Sequence, residues 1–532
     1  MMALEFGEDM ILVDCGQMFP EEDMLGVDAV IPDFAYVAER RSKLRGLILT
    51  HGHEDHIGAV GYFAREFETA VFGSRLTLAL VEEKLREMDL VGRLDLREVT
   101  GRSREQLGAF EIEFLRVNHS IPQSMALAIG TPIGTVIHTG DYKFDPSEEG
   151  ETSDFYSLSQ HGERGVLLLL ADSTNVEREG NSPSEASVRQ GLRQAIAPAA
   201  GAVIFSTFAS HLFRLQAALD VAVETGRKVA VTGYSLERNV EIAAELGLLQ
   251  YPAGLIVSLK ELGALPPVER MLLAAGSQGE PVSALSRLAI DGFRGYRVEP
   301  GDCVALSARM IPGNERAIYR MINHLYRRGA HVITEREAPI HASGHAYREE
   351  MRQLFRMVRP RWFVPIHGEL RQLISNAELV ESLGLPAEHI FVLENGDALD
   401  LDGRAAVRRR ADLAGQVLVD GRIFEQLEEI VLRDRQHLSE DGMVIVILVI
   451  DRRTLKIIAG PDIVSRGFIE VDANEALIER CKRVVLEAFE ATEKEGKEEW
   501  EVVKNAVRKA LRKFLRNETD RYPMILPVVM EI

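Results

Sequence analysis

The chain has 532 residues, of which 46% are hydrophobic and 27% are charged. This length exceeds what one hydrophobic core supports, so we expect two to four domains. The longest apolar runs, residues 166–171 and 443–450, are far shorter than the roughly 20 residues of a membrane helix. The composition therefore excludes a largely disordered chain and an apolar membrane-spanning helix.

The net charge of −20 at pH 7 opposes the basic surface that is typical of nucleic-acid-binding domains. A bound pair of divalent cations would offset this objection locally, because it adds about four positive charges. One run of basic residues could line a channel, but a solvated helix face explains it equally well. The run consists of Arg348, Arg352, Arg356, Arg359 and Arg361.

The cysteines Cys15, Cys303 and Cys481 are few, odd in number and far apart. This usage argues against a disulfide framework and against a cysteine-ligated metal, so any metal must use histidines and carboxylates. The first residues are acidic and do not resemble a secretion signal, which favours a cytoplasmic protein.

The first 180 residues contain short apolar runs of β-forming residues, separated by loops and amphipathic helix patterns. The runs are residues 10–13, 46–49, 110–117, 135–138 and 166–171. This order predicts a layered α/β or αββα domain. Histidine, aspartate, glycine and asparagine directly follow several runs, and loops at strand ends commonly assemble functional sites.

The pattern changes after about residue 181, where strands alternate with longer helical stretches. The strands are residues 202–206, 228–232, 272–275 and 304–307. Such βαβ spacing predicts a second, largely parallel sheet. Because β-rich character returns from Trp362 to about residue 425, we expect 181–345 to be an inserted domain, with 1–180 and 346–425 forming the first domain.

A charged stretch precedes a small C-terminal α/β domain. We assign residues 426–441 to a linker and 442–532 to this domain. Its strands are predicted at 443–451 and 455–458, and its helices between about 473 and 516. The exposed strands and the tail favour subunit contact, although packing within one chain explains them equally well.

The strongest indication of function is the hexapeptide HGHEDH at residues 51–56, between a predicted strand and a helix-like stretch. Three of the 14 histidines fall within it, which favours a metal site over a histidine-rich turn. Side chains two residues apart in an extended loop point the same way, so His51 and His53 can serve one ion. Asp55 and His56, at the turn into the helix, can serve a second.

Further ligands are needed, and isolated candidates follow other predicted strands. They are His119 after residues 110–117, Asp141 after 135–138 and His367 after the strand that begins at Trp362. Each histidine alone would more often be a satisfied core or loop residue. Together with the hexapeptide, however, their order is specific.

This order of ligands resembles the metallo-β-lactamase superfamily. The resemblance implies an αββα sandwich that binds two divalent cations, with zinc favoured and manganese as the alternative. The ligands it implies are His51, His53 and His119 for one ion, Asp55, His56 and His367 for the other, and Asp141 bridging the two.

Ordered motifs in and around the inserted domain narrow the resemblance to the β-CASP nucleases. They are residues 170–175 (LADSTN), 341–345 (HASGH) and 365–367 (PIH). His367 matches the RNA-processing branch, whereas the DNA-processing branch typically carries Val there. Together with GSQGEP at residues 276–281, the motif spacing resembles the bacterial ribonuclease J family over nearly the whole chain.

This family implies hydrolysis of RNA phosphodiesters from 5′-monophosphate ends in the 5′-to-3′ direction, with endonuclease activity as well, in RNA maturation and decay. A water between the ions would supply the nucleophile. We assign His345 as the acid that protonates the leaving 3′-oxygen and Asp172 as the group that orients it, with Asp55 as a third catalytic residue. Asp172 could instead cap the turn that follows it, and His345 could be a loop residue.

The family also has a pocket for a terminal or scissile-adjacent phosphate. Consecutive backbone N–H groups at Ser343 and Gly344 can form an anion nest, although tight Gly-Ser turns often bind nothing. The residues that match the pocket are Ser210, His211, His341, Ala342, Ser343, Gly344 and His345.

Further features follow from the resemblance alone. Gly26, Asp28 and Asp420 match a structural cation site of some relatives, most plausibly for calcium, which prefers oxygen ligands. Asp14 matches a carboxylate that steadies the histidine loop, although a turn aspartate beside Gly16 explains it nearly as well. The resemblance also implies a homodimer or homotetramer.

Alternatives from other classes stay open. Another hydrolase of the superfamily could act on a thioester or lactam through the same ions, but a small substrate needs no inserted domain of this size. A catalytically silent RNA-binding scaffold would have lost metal ligands, whereas all seven positions are filled here.

Overall fold

The computed structural model describes residues 1–21, 23–145, 152–311, 313–410, 415–421, 429–451, 454, 456–494 and 500–532. It divides into two compact units. The first unit comprises Met1–Met18 and Ile31–Gln416, and the second comprises Phe19–Val30 and Val417–Ile532.

The secondary structure elements are numbered in chain order. The strands are β1 (Met2–Phe6), β2 (Asp9–Val13), β3 (Ala29–Pro32), β4 (Leu44–Ile48), β5 (Ala70–Gly73), β6 (Asp95–Glu98), β7 (Arg104–Leu107), β8 (Phe110–Arg116), β9 (Met125–Thr131), β10 (Gly134–His138), β11 (Val166–Asp172), β12 (Val203–Ser206), β13 (Lys228–Thr232), β14 (Arg270–Ala274), β15 (Cys303–Leu306), β16 (His331–Ile333), β17 (Pro360–Ile366), β18 (Asp397–Leu401), β19 (Ala406–Arg410), β20 (Gln416–Val419), β21 (Met443–Ile450), β22 (Ile457–Arg466) and β23 (Met524–Glu531). The α-helices are α1 (Ala35–Glu39), α2 (Glu54–Ile57), α3 (Val60–Glu66), α4 (Arg75–Glu87), α5 (Phe155–Arg164), α6 (Glu185–Ile196), α7 (Leu212–Glu224), α8 (Tyr234–Glu245), α9 (Leu259–Ala264), α10 (Ala284–Ile290), α11 (Glu315–Arg327), α12 (Arg348–Val358), α13 (Leu370–Ser382), α14 (Glu429–Asp441), α15 (Glu475–Lys494) and α16 (Trp500–Thr519). Short 3-10 helices lie at Arg41–Lys43, Pro267–Glu269, Ala387–His389 and Asp472–Asn474. Among the described helices, none has the length and apolar character needed to cross a membrane.

Facing sheets form the predicted sandwich in the first unit. One has the strand order β1-β2-β4-β5-β6, and the other has the order β17-β11-β10-β9-β8-β7. Buried residues of both sheets share one core, in which Ile11 of β2 belongs with Phe114 of β8. On the far side of the second sheet, Leu158, Met351 and Leu379 from α5, α12 and α13 build another core. The predicted αββα arrangement is therefore confirmed.

The inserted domain leaves this sandwich after β11 and returns at β17. These strands are parallel neighbours, with Leu168 opposite Trp362. Between them, a separate parallel sheet has the order β13-β14-β12-β15-β16. Parallel strands need crossover connections, and α7, α8, α10 and α11 provide them. The insertion and its parallel sheet are confirmed, while the boundaries at 181 and 345 stay predictions.

The second unit contains the sheet β22-β21-β23. Buried residues of β21 pack with α15 and α16, as Val446 does with Val485 and Leu511. Of the strand expected at 455–458, residues 457 and 458 begin the longer β22, and residue 455 lies outside the described part of the chain. This strand continues through the Gly460-Pro461 pair, which normally interrupts a strand, because it lies at the edge of its sheet.

The stretch assigned to a linker, residues 426–441, contains α14 (Glu429–Asp441), and residues 426–428 lie outside the described part. Its glutamate, leucine, arginine and glutamine residues are good helix formers, which explains why a charged stretch becomes helical.

Candidate metal centre

The hexapeptide follows β4 and turns into the short helix α2. His53 is the residue that precedes α2, with extended backbone angles. The end of β2 runs against this loop, where Cys15 N donates to the carbonyl oxygen of His56 at 2.7 Å. A Cβ at Gly16 would stand 1.5 Å from the carbonyl oxygen of Asp55, so only glycine permits this close approach.

Imidazole nitrogens of three residues converge on one point. His51 Nε2 and His119 Nε2 lie 3.0 Å and 3.1 Å from His53 Nδ1. Asp141 Oδ2 lies 3.7 Å from His51 Nε2 and 3.6 Å from His119 Nε2. Tetrahedral ligands about 2.0–2.1 Å from zinc stand about 3.3 Å from one another, so this spacing suits one ion.

A second group adjoins the first. Asp55 Oδ2 lies 3.7 Å from His56 Nε2 and 3.4 Å from His367 Nε2. Asp141 faces this group as well, with Oδ2 3.3 Å from His56 Nε2 and Oδ1 3.6 Å from His367 Nε2. His56 Nε2 is buried and has no hydrogen-bond partner among the described residues, as expected of a nitrogen that binds a metal.

Asp14 holds the second group from outside. The Nε2 atom of His56 faces the cluster, and the Nδ1 atom of the same ring donates to Asp14 Oδ2 at 2.8 Å. The backbone N–H of Thr50 donates to Asp14 Oδ1 at 2.8 Å, and its hydroxyl lies 3.1 Å from His51 Nδ1. A carboxylate in this position fixes both the tautomer and the orientation of a metal-binding imidazole.

Protein oxygens hold two other histidines in the same way. His119 Nδ1 donates to the carbonyl oxygen of Gly344 at 2.7 Å, and His367 Nδ1 lies 2.9 Å from Thr174 Oγ1. Sequence reasoning missed Thr50 and Thr174. Their positions directly before His51 and within the motif at 170–175 could have indicated them.

The pKa shifts differ between the two groups of histidines. Burial lowers the pKa of His51 and His119 well below the ordinary value and that of His53 to about 4, so these imidazoles are neutral. Burial alone would raise the pKa of Asp141, but the surrounding histidines, His367 foremost, lower it well below its usual range. Burial alone would lower the pKa of His56, but the carboxylates of Asp141 and Asp14 raise it to about 10, and Asp141 likewise raises the pKa of His367 well above its ordinary value. A cation that binds in this cluster would therefore displace protons from His56 and His367, whereas the first group is already neutral.

His345 and Asp172 form a direct pair beside this cluster. His345 Nδ1 donates to Asp172 Oδ2 at 2.8 Å. The other oxygen of Asp172 accepts from the backbone N–H of Thr174 at 2.9 Å and from its hydroxyl at 2.7 Å. Asp172 thus caps the turn and orients His345 at once, because each role uses a different oxygen. His345 also lies near enough to Asp141 and His367 to be a further candidate ligand.

The fully buried guanidinium of Arg214 holds the predicted phosphate pocket together. It donates to His211 Nε2 at 3.1 Å, and the buried Nδ1 of His211 has no partner in the described part of the chain. It also donates to the carbonyl oxygens of Ile340 at 2.9 Å and Ala342 at 3.4 Å. Sequence reasoning missed Arg214, which a lone arginine on the apolar helix α7 could have indicated.

The remaining pocket residues surround this guanidinium or the cluster. Ser210 is half-buried in the turn before α7, and His341 Nδ1 lies 3.5 Å from Arg214 Nη1. Ser343 Oγ accepts from Asn175 Nδ2 at 2.7 Å. The loop 341–345 is therefore held by groups from both the sandwich and the inserted domain.

The predicted calcium residues lie in the second unit. Asp28 Oδ2 accepts from the backbone N–H of Gly421 at 2.7 Å, while Asp420 pairs with Arg435. A Cβ at Gly26 would stand 2.8 Å from Arg435 Nη1. Calcium ligands must face an ion, but here a cationic side chain occupies that place. The residues as arranged do not fit calcium, and the site stays a prediction.

Family descriptions match successive parts of the chain. "Metallo-beta-lactamase superfamily" matches residues 2–175, and "Ribonuclease J, beta-CASP domain" matches 200–325. "Zn-dependent metallo-hydrolase RNA specificity domain" matches 329–393, and "Ribonuclease J C-terminal domain" matches 430–532.

Curated relatives match nearly the full length. "Ribonuclease J 1" of Streptococcus pyogenes is 38% identical over 99% of this chain and 94% of its own. "Ribonuclease J2" of Bacillus subtilis is 36% identical, and "Ribonuclease J 2" of Staphylococcus aureus is 37% identical, each over 100% of this chain and 96% of its own. A solved structure of a protein of unknown function from Enterococcus faecalis V583 covers 78% of this chain and 96% of its own, with a TM-score of 0.50 and 12% identity, which concerns the fold alone.

Proposed function

The chain belongs to the ribonuclease J family of metal-dependent ribonucleases, and on that premise we propose that it degrades RNA from 5′-monophosphorylated ends in the 5′-to-3′ direction. Endonuclease activity accompanies this exonuclease activity, in RNA maturation and mRNA decay. The observation that carries the hydrolysis of RNA by two cations is the position of Asp141, whose Oδ2 faces both groups of histidines and whose Oδ1 faces the second group. The direction of degradation follows from the family alone.

His51, His53 and His119 would hold one divalent cation, and the ligands of the other would be Asp55, His56 and His367. Asp141 would bridge the two. When bound, such a pair supplies a nucleophilic water and neutralises charge on the phosphate, with zinc or manganese as the metal. The protein fixes the orientation of the metal-binding imidazoles in advance. Asp14, Thr174 and the carbonyl oxygen of Gly344 contact the ring nitrogens that face away from the cations.

His345 would donate the proton that the leaving 3′-oxygen needs. Burial alone would lower the pKa of His345, but the carboxylate of Asp172 raises it above the ordinary value. The imidazolium is therefore available as an acid, and its Nδ1 contact with Asp172 holds the ring in one orientation. Cleavage on this side of phosphorus leaves a 5′-phosphate on the product.

The phosphate pocket would select the RNA end. Nδ1 of the buried His211, which has no hydrogen-bond partner among the described residues, and the backbone N–H groups around Ser343 and Gly344 offer donors to a terminal phosphate. A pocket of this kind favours a 5′-monophosphate and stepwise removal of nucleotides.

The decisive experiment compares 5′-monophosphorylated and 5′-triphosphorylated RNA of one sequence, with zinc or manganese added. We expect mononucleotides from the first and resistance of the second. Equal internal cutting of both would contradict the exonuclease proposal, and cleavage of single-stranded DNA alone would contradict RNA as the substrate.

A second experiment tests the acid. His345→Ala should lower kcat by about 10²–10⁴-fold while metal content stays at the native level. His331→Ala removes an exposed histidine of β16 and serves as the control. Metal loss from His345→Ala would instead make His345 a ligand, as its distance to Asp141 and His367 permits.

We also propose that the second unit mediates a homodimer or homotetramer. Strand β23 is an edge strand, on which Leu526 is 44% exposed and Met530 is 47% exposed. Apolar edge strands are prone to pair with another chain. Leu526→Lys should lower the mass measured by light scattering after gel filtration, whereas a monomeric native chain would contradict the proposal.

A further inference from the structure

Arg309 and Arg178 lie beside the loop 341–345 without an ion-pair partner in the part of the chain that the structure describes. Arg309 follows β15 in the inserted domain, and Arg178 follows the motif at 170–175. Both are half-buried. Neither residue belongs to the metal cluster or to the phosphate pocket described above.

Asn175 ties Arg309 to the loop that carries His345. Arg309 Nη1 donates to Asn175 Oδ1 at 3.0 Å, and Asn175 Nδ2 donates to Ser343 Oγ at 2.7 Å. Asn175 is 3% exposed, so this link is rigidly enclosed. Guanidinium has five N–H donors, and this contact leaves most of them available to a ligand.

The motif at 276–281 holds the backbone of Arg309 in place. Gln278 Nε2 donates to the carbonyl oxygen of Arg309 at 2.9 Å, and Gln278 Oε1 accepts from the backbone N–H of Ile311 at 2.9 Å. One side-chain amide thus clamps both sides of the segment. The GSQGEP motif therefore has a structural role: its Gln278 holds Arg309 in a fixed position.

Arg178 is held by a neutral partner. Its Nη1 donates to the hydroxyl of Tyr347 at 2.7 Å, and its guanidinium carbon lies 5.4 Å from the centre of that ring. Asn175 and Tyr347 therefore fix these arginines without neutralising them.

Other arginines of this region are paired with carboxylates. Arg371 pairs with Glu177 and also with Glu369, at 3.0 Å, while Arg348 Nε lies 3.5 Å from Glu179 Oε1. Arg352 pairs with Glu349 in the same helix turn. Arg348, Arg352 and Arg371 are therefore compensated by carboxylates, whereas Arg309 and Arg178 are held by the neutral side chains of Asn175 and Tyr347.

Uncompensated like charges that lie close together destabilise each other. Burial, and next to it the guanidinium of Arg178, lowers the pKa of Arg309. Burial and Arg214 lower the pKa of the nearby His341 most, and Arg309 and Arg178 lower it further. Glu335 acts in the opposite direction on Arg309 but forms no ion pair with it in the described part of the chain. An anion between the two guanidiniums would relieve this repulsion.

We propose that Arg309 and Arg178 together bind a backbone phosphate of the RNA substrate adjacent to the phosphate that the loop 341–345 holds. This inference rests on the proposed ribonuclease function. A planar guanidinium matches phosphate oxygens with two parallel hydrogen bonds, and such contacts set affinity and register rather than base preference. It also explains how a chain of net charge −20 attracts RNA, since the positive field is concentrated beside the site.

Salt dependence provides the test, because each phosphate contact releases counterions from RNA. Binding of an unstructured 5′-monophosphorylated RNA to the full-length chain is measured by stopped-flow anisotropy before turnover, and kcat and KM are measured with manganese, over a salt series. For Arg309→Gln and Arg178→Gln, we expect the slope of log K against log salt to fall by about 0.7 each. KM should rise about tenfold with kcat nearly unchanged.

Matched variants separate charge from structure. Gln at 309 can still donate to Asn175 Oδ1, and Arg309→Lys keeps the charge, so the lysine variant should retain most of the native slope. Arg193→Gln removes the same formal charge from an exposed pair with Glu224 and should leave slope and KM unchanged.

The outcomes distinguish this inference from the function on which it rests. Native slopes in both glutamine variants, or a loss confined to kcat, would overturn the phosphate site while RNA cleavage by the native chain stands. A native chain that cleaves no RNA would overturn the proposed function, and the binding slopes would still decide whether the two arginines contact phosphate.

Discussion

His345 and Asp172 are hydrogen-bonded at 2.8 Å although they lie 173 residues apart in the chain. The contact joins the end of the inserted domain to the end of β11 in the sandwich. Asp172 is completely buried, so its negative charge acts on the imidazole with little screening by water. The acid of the proposed reaction is therefore assembled only when both domains are folded.

Replacement of Asp172 should change the pH dependence of turnover. Burial lowers the pKa of His345, yet Asp172 raises it above 6.5. A general acid acts in its protonated form, so a raised pKa preserves activity to higher pH. In Asp172→Asn the carboxylate no longer raises the pKa of His345, so burial lowers that pKa. The alkaline limb of the kcat profile should therefore move to lower pH. An unchanged limb would show that His345 is not the acid.

Gly344→Ala should weaken metal binding without unfolding the chain. A Cβ at Gly344 would stand 2.7 Å from the imidazole of His119 and 2.9 Å from Cβ of Ser120. The imidazole, whose Nδ1 donates to this loop, would have to shift. We expect metal affinity to fall about 10–100-fold, which is typical when a metal-binding histidine loses the hydrogen bond that holds its other ring nitrogen.

Metal titration by calorimetry measures this effect. Gly263→Ala is the matched control, because its Cβ would meet nothing within 4 Å and Gly263 lies in helix α9. Equal affinities of the two variants would mean that the loop 341–345 does not position His119.

Arg214→Met should destabilise the first unit strongly. Arg214 is fully buried and donates to Glu185 Oε2 at 3.1 Å. Lys143 lies 3.3 Å from Glu185 Oε1 but also serves Asp145, so it cannot replace the guanidinium. Loss of one partner of a buried ion pair costs about 3–5 kcal/mol, which urea unfolding can measure.

The double variant Arg214→Met/Glu185→Gln provides the comparison, because it removes the uncompensated carboxylate as well. It should recover part of the lost stability. Arg193→Met, in an exposed ion pair, should change stability little. A small effect of Arg214→Met alone would mean that the buried network is not a stabilising element.

Calcium binding should depend on Arg435. In the native chain its guanidinium pairs with Asp420, so calcium titrated into the zinc-loaded protein should release no binding heat. Arg435→Gln frees the carboxylate, and a calcium site formed by Gly26, Asp28 and Asp420 should then become measurable. Calcium binding to the native chain would support the original prediction and contradict this one.

The strands of the sandwich and of the inserted parallel sheet were largely predictable because each is a short apolar run with a loop at its end. Residues 228–232 form β13 with the predicted bounds, and 166–171 form β11 with one added residue. The strand predicted at 455–458 ends well before β22, which runs to Arg466, because a glycine-proline pair locally resembles an interruption. The strand tolerates this pair only because it lies at a sheet edge.

The sequence by itself identified the candidate chemistry, since three histidines in six residues and single polar residues after strands are local patterns. Only the tertiary structure decided what holds those side chains. Thr174, Arg214 and Arg309 belong to no periodic pattern, and their partners lie up to 193 residues away. Hydrogen bonds and ion pairs depend on distances in space, and those distances exist only after the inserted domain has packed against the sandwich.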